Sequence, residues 1–237
     1  MLCSLTMETR LPSFGKAVSR QTVTVLAVLT LSCGGQPGTP EPMTIDAALE
    51  PAAIAATAID GSLRIVFDWR LEDRDGRFSG QGVLRVEPGR ARLDLFGPRS
   101  ESYLSAVLDG NELRLPPGAD GSQLPPPPLF WTVLGVLKPP PAPLIGAQAD
   151  GDRSELRYGT TADAWAFSLD GGQLRRAEWT GTGSGRRTVE LSGVTAAGTP
   201  REAKYRDWPG FVELVLSATE VVEVDEFPSD TWTLPGR

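Results

Sequence analysis

The sequence predicts a mainly β fold with minor α: two antiparallel meanders, about eleven strands in all, on either side of a short apolar helix. Three observations predict it. From Gly61 onward, apolar residues recur with period two, the spacing of a strand with one buried face. The alternating runs are short and are separated by clusters of Asp, Gly, Asn and Pro, the residues of tight turns. One strongly apolar segment does not alternate. Residues 129–138 (LFWTVLGVLK) lie between prolines 125–128 and 139–141, which frame and stop a helix.

Residues 1–32 read as a signal segment. Arg10, Lys16 and Arg20 make a basic start, residues 23–31 (VTVLAVLTL) an apolar stretch, and Ser32 precedes Cys33. This is the pattern of a bacterial lipoprotein signal, with Thr30 where leucine is usual. The apolar stretch is too short for a stable membrane span. The expected mature chain begins at Cys33, with lipid on its thiol and amine. Residues 33–43 are the lipidated cysteine and a Gly/Pro tether, a composition that cannot bury enough apolar surface to fold. Gly34 lacks the aspartate that holds many Gram-negative lipoproteins at the inner membrane. The expected location is therefore the periplasmic side of the outer membrane.

Residues 44–237 form the expected folded domain. Residues 44–59 are Ala-rich and weakly amphipathic and predict a helix, broken or restarted at Pro51, because proline fits a first turn but not an interior. Leu63, Ile65, Phe67, Trp69 and Leu71 then alternate with Arg64, Val66, Asp68 and Arg70. Phe78, Gly80, Gly82, Leu84 and Val86 continue the pattern after an Asp-Arg-Asp-Gly turn. Ala91, Leu93 and Leu95 follow Pro88-Gly89, and runs at 103–108 and 112–115 complete the first meander. The second meander comprises runs at 155–159, 162–169, 173–180 and 187–191, then 202–205, 211–218 and 221–227. Asp170-Gly171-Gly172 is a hairpin signal, and Asp207-Trp208-Pro209-Gly210 reads as a turn.

Charge and composition exclude several functions. The net charge is −7; residues 1–32 contribute +2 through Arg10, Lys16, Arg20 and Glu8, so the chain from Cys33 carries −9. An acidic chain without a basic block does not suit nucleic acid, and membrane attachment falls to the acyl anchor. Cys3 lies in the segment to be removed, leaving Cys33 alone, with no disulfide or thiol pair. The chain has no histidine, which removes a Ser-His-Asp triad, a histidine base and histidine metal ligands. Asp73/Asp75 and Asp225/Glu226 sit in turns or strand ends and read as solvated. Residues 181–185 (GTGSG) lack the lysine and following helix of a phosphate loop. No catalytic residue, metal site or cofactor is expected.

The order of lipidated cysteine, helix, meander, apolar helix and second meander resembles the LolA/LolB superfamily. It is most similar to the LolB branch of outer-membrane lipoproteins. Residues 91–98 (ARLDLFGP) followed by 103–107 (YLSAV) are similar to the family's strand, Gly-Pro turn, strand unit. Residues 130–137 (FWTVLGVL) with Pro139 are similar to its Trp-Leu-Gly helix, and residues 198–216 to its C-terminal hairpin. The resemblance implies an open (unclosed) antiparallel β-barrel with helices as a lid. It also implies a cavity for the acyl chains of lipoproteins or another lipid, and a periplasmic LolA-like carrier as partner. In the LolB branch a loop after the Pro-containing turn exposes an apolar residue; here Pro98 is followed by Arg99, which cannot insert cheaply into hydrocarbon.

Phase and apolarity together nominate a ligand site between the sheet and the central helix. From the first meander its candidates are Leu63, Ile65, Phe67, Trp69, Leu84, Leu93 and Leu95. From the helix they are Phe130, Trp131 and Leu134, and from the second meander Trp165 and Phe167. Two function classes fit these residues: a lipid-handling protein with an open cavity, and a non-transporting scaffold lipoprotein with the same space filled.

Overall fold

The computed structural model describes residues 44–183 and 185–234. The expected signal segment, the expected lipidation at Cys33 and the expected tether lie outside the described residues. Two α-helices and twelve strands are present among the described residues. Helix α1 (Leu49–Ala56) begins later than the sequence predicts. Asp46 accepts a hydrogen bond from the Ala48 amide at 3.0 Å, a local turn that competes with helix. Pro51 occupies the first turn, where no amide donor is needed.

The first meander is β1 (Ser62–Glu72), β2 (Arg77–Glu87), β3 (Arg90–Phe96), β4 (Ser102–Asp109) and β5 (Glu112–Arg114). Helix α2 (Pro127–Val133) follows. The second meander is β6 (Leu144–Asp150), β7 (Arg153–Gly159), β8 (Asp163–Asp170), β9 (Gln173–Gly181), β10 (Gly185–Val194), β11 (Pro200–Asp207) and β12 (Val212–Val224). All belong to one antiparallel sheet in the order β5-β4-β3-β2-β1-β12-β11-β10-β9-β8-β7-β6. The two meanders join through β1 and β12, and the edge strands β5 and β6 do not pair with each other. The sheet is therefore an open barrel.

The twelve strands differ from the runs read in the sequence at two places, for local reasons. The runs at 211–218 and 221–227 are one strand, because β12 bulges at Thr219 and continues. Thr219 Oγ1 donates to the Val66 carbonyl across that bulge at 3.1 Å. The second place is β6, whose LIGAQAD sequence does not alternate.

Registers place the turns at two rims. One rim carries the turns at 73–76, 97–101, 160–162 and 208–211. The other carries those at 88–89, 110–111, 171–172 and 195–199, together with the link from α1 to β1. Along β1 the concave side buries Leu63, Ile65, Phe67, Trp69 and Leu71 while Arg64, Asp68 and Arg70 face water. Each large apolar side chain so buried contributes roughly 1.5–3 kcal/mol.

The outer face of β3 holds one buried charge. Asp94, 5 % exposed, accepts from Arg85 Nη1 at 2.6 Å, Arg92 Nε at 2.9 Å and Ser105 Oγ at 2.8 Å. Arg92 Nη1 also donates to the Thr231 and Thr233 carbonyls at 2.7 and 3.1 Å, tying the C-terminal segment across this face. Burial pushes the Asp94 carboxyl up. The hydrogen bonds from Arg92 and Ser105 and the charges of Arg92 and Arg85 outweigh it and hold the carboxyl below its ordinary value. A folded-state pKa that is depressed stabilises above the unfolded value and stops doing so as pH falls through the folded one. Asp94→Asn is expected to cost about 2 kcal/mol at pH 7. Urea unfolding should show that difference constant down to about pH 5 and shrinking below about pH 4. A difference that grows on acidification would refute the assignment.

Candidate ligand-binding site under the central helix

A proline starts α2 and a glycine ends it, before prolines 139–141 are reached. Pro127 fills its first position, where the missing amide costs nothing, and Gly135 stops it in a left-handed conformation, φ 80°. The helix is therefore shorter than the predicted 129–138. The Gly135 amide donates to the Thr132 carbonyl at 2.8 Å and the Val136 amide to that of Trp131 at 3.0 Å, closing the C-terminal turn. A side chain at Gly135 would meet Pro200 Cδ at 2.9 Å, so the turn lies directly on the start of β11.

Residues Pro128, Leu129, Phe130, Trp131, Thr132 and Val133 are all buried, because α2 lies on the concave face against β9, β10 and β11. Such an all-round apolar helix has no wet side. Two polar ties hold it. Trp131 Nε1 donates to the Gly110 carbonyl in the β4–β5 turn at 2.7 Å. The Leu137 amide donates to Thr57 Oγ1 at 3.0 Å, and Thr57 Oγ1 donates to the Ala53 carbonyl at 2.9 Å, coupling α2 to the end of α1.

The predicted residues occupy this face, but they do not form one cavity. Ile65, Phe67, Leu84 and Leu134 surround a void of about 20 Å³. Leu84, Leu93 and Phe130 surround another of about 10 Å³. Neither has room for an acyl chain. Leu63 and Leu134 instead line a cleft of about 580 Å³ at the rim beside α1. Its other walls are the α1–β1 link, the start of β9 at Leu174 and Arg175, and the β10–β11 hairpin at 195–199. Leu134 borders both the cleft and the larger void, so the cleft leads to the seam between α2 and the sheet.

The remaining candidates lie elsewhere on the face. Trp69 is buried toward the opposite rim. Its ring is 4.8 Å from that of Tyr103, and its Nε1 donates to the Phe96 and Gln81 carbonyls at 3.0 and 3.1 Å. Leu95 is buried on β3, opposite Gly82 of β2. Phe167 is buried edge-on to Tyr158 at 5.8 Å. Trp165 is half-buried against Trp179, with ring centroids 5.6 Å apart. Pro98 and Arg99 are exposed in a tight turn, closed by the Gly97 amide donating to the Glu101 carbonyl at 2.9 Å.

Two features were not anticipated from the sequence. The cleft is one. The other is Tyr205, buried on the concave face with no hydrogen-bond partner for its hydroxyl among the described residues. Burial, reinforced by Asp207, raises its pKa, so it stays a neutral donor. Its alternation with Ala203 and Asp207 along β11 marks the inner face in the sequence, but not the missing partner.

No family model and no curated protein sequence matches this chain. Solved structures do match it. A LolA superfamily protein from Nitrosomonas europaea superposes with a TM-score of 0.53 at 12 % identity, covering 79 % of this chain and 96 % of that one. The chain has the LolA-superfamily fold. Two further likenesses have lower scores. A Vibrio parahaemolyticus domain, provisionally described as an outer membrane lipoprotein-sorting protein domain, gives 0.47 at 7 % identity over 78 % and 95 % of the two chains. A DUF1329 family protein from Desulfovibrio piger gives 0.46 at 9 % identity, with the same coverage. Helix α2 lies across the concave face of the open sheet, and the cleft is the gap at its C-terminal end.

Proposed function

We propose that this chain is an envelope lipoprotein, anchored by Cys33 on the periplasmic side of the outer membrane, that accepts acyl chains between the concave sheet and α2. Lipoprotein acyl chains are the cargo a LolB-like role implies, handed over by a LolA-like carrier; other lipids fit the same chemistry. The observation that carries the reading is a continuous apolar concave face covered by one seven-residue helix beside an open cleft of about 580 Å³. An acyl chain entering past Leu134 would lie beside Leu84, Leu93, Leu214 and Leu216, which line one void with Phe130 and Val133 of α2. Exchanging one apolar partner for another costs little.

A second reading has an observation of its own. Two voids under α2 are small, about 20 and 10 Å³, as in a scaffold with a packed core. Titration with an environment-sensitive fluorescent fatty acid separates the two. The expected result is saturable enhancement at micromolar protein, competed by a diacylated lipopeptide. The absence of saturable enhancement at that concentration would leave the scaffold.

A further inference from the structure

We propose that the β11–β12 turn is a bilayer-contacting tip, which sets Trp208 and Phe211 into the headgroup layer of the membrane. This inference does not depend on what the space under α2 holds. Phe211 is the most exposed large apolar side chain among the described residues, at 65 %, and Trp208 on the same turn is 53 % exposed. Phe211 also has φ 57°, a left-handed conformation that bulky side chains rarely adopt. An aromatic residue exposed to water and held in a strained backbone gains little inside the molecule. Such outliers concentrate where the surroundings enforce them for a function.

The surroundings do enforce it. Asp207 is buried, accepts from Arg187 Nε at 2.7 Å, and accepts the Gly210 amide at 3.0 Å, so the turn is braced from the concave face. Arg74 reaches across from the β1–β2 turn, donating to the Pro209 carbonyl at 3.1 Å with its guanidinium 4.6 Å from the Phe211 ring centroid. Arg206 lies 5.8 Å from the Trp208 centroid and also pairs with Glu213. Aromatic rings with guanidinium groups alongside suit the membrane interface, where an amphipathic ring sits at headgroup depth and arginine meets phosphate.

The direction of the chain favours a bilayer over another partner. Thr44, Ile45 and Asp46 form a parallel bridge with Ala147 of β6. Leu144, where β6 begins, pairs with Tyr158 at the rim that carries the Trp208 turn. A segment parallel to β6 therefore starts from that same rim. The ten residues 34–43 separate Thr44 from Cys33, a span of at most roughly 35 Å. Residues 44–46 thus run away from the rim of the aromatic tip, so the chain coming from the expected anchor enters the domain on that side.

The test uses the full chain, whose tryptophans all lie in the folded domain at 69, 131, 165, 179, 208 and 232. The protein is reconstituted in phosphatidylethanolamine/phosphatidylglycerol vesicles with brominated acyl chains, and emission is read on protein that floats with them. Wild-type quenching should exceed that of Trp208→Phe at least twofold, because the other tryptophans sit in the domain. Phe211→Gly, which suits the left-handed backbone, should halve the quenching while circular dichroism is unchanged. Equal quenching in wild type and Trp208→Phe would overturn the proposal, whether the tip faces water or a protein. So would unchanged quenching in Phe211→Gly.

Discussion

Replacing Gly80 by alanine is expected to destabilise the domain by about 3 kcal/mol. The added Cβ would lie 1.9 Å from the Phe96 carbonyl oxygen and 3.1 Å from Trp69 Nε1. The first of these atoms is backbone, held in the β2–β3 ladder, and cannot swing aside. The same carbonyl accepts the Trp69 indole, so moving it also breaks a bond between β1 and β3. Gly82 serves the neighbouring pair in a similar way, since a Cβ there would meet the Phe67 ring at 2.3 Å. Phe67 stands opposite Gly82 and Trp69 opposite Gly80, so two aromatic side chains lie across glycines of the adjacent strand. That arrangement lets a sheet curve while its concave face stays filled. At about 2–4 °C per kcal/mol, Tm should fall by roughly 6–12 °C. Gly61→Ala, where nothing lies within 4 Å of the new atom, is the control and should change little. A Tm shift for Gly80→Ala no larger than the control's would mean that β2 has no need of its glycines.

Legibility in the sequence follows burial of one face. Strand β1 reads clearly because Leu63 to Leu71 alternate between a dry side and a wet one. Edge strand β6 does not, because it follows a proline run and has Gly146 and Ala147 as its buried residues. Alternation also gives the face of a side chain without its depth. Trp165 shares the phase of Phe167, yet at the rim it is half-buried against Trp179 while Phe167 is buried. The cleft depends on contacts far apart in the chain. The left-handed Gly135, the 195–199 hairpin and the end of α1 create it together, and no local pattern encodes their meeting. The aromatic residues of the β11–β12 turn are visible in the sequence as a turn; their exposure is not.

Trp131→Ala decides whether α2 is a lid or core. The ring is buried, and its Nε1 makes the 2.7 Å bond to Gly110 that fastens α2 to the β4–β5 turn. Losing both is expected to weaken docking of the helix by about 3 kcal/mol, the low end for a buried tryptophan. If binding requires the helix to lift, apparent affinity is the intrinsic affinity scaled by the fraction of molecules already open. Weaker docking raises that fraction, so the variant should bind the fluorescent fatty acid more tightly than wild type. The ceiling is roughly a hundredfold, since each 1.4 kcal/mol is a factor of ten. Contacts the ring itself makes with ligand would lower the gain, and a tenfold increase is the expected reading. The sheet should keep its far-UV circular dichroism, because the ladders from β5 to β6 do not pass through α2. If Tm falls and affinity does not rise, the helix is ordinary core, and the acyl-binding reading fails with it.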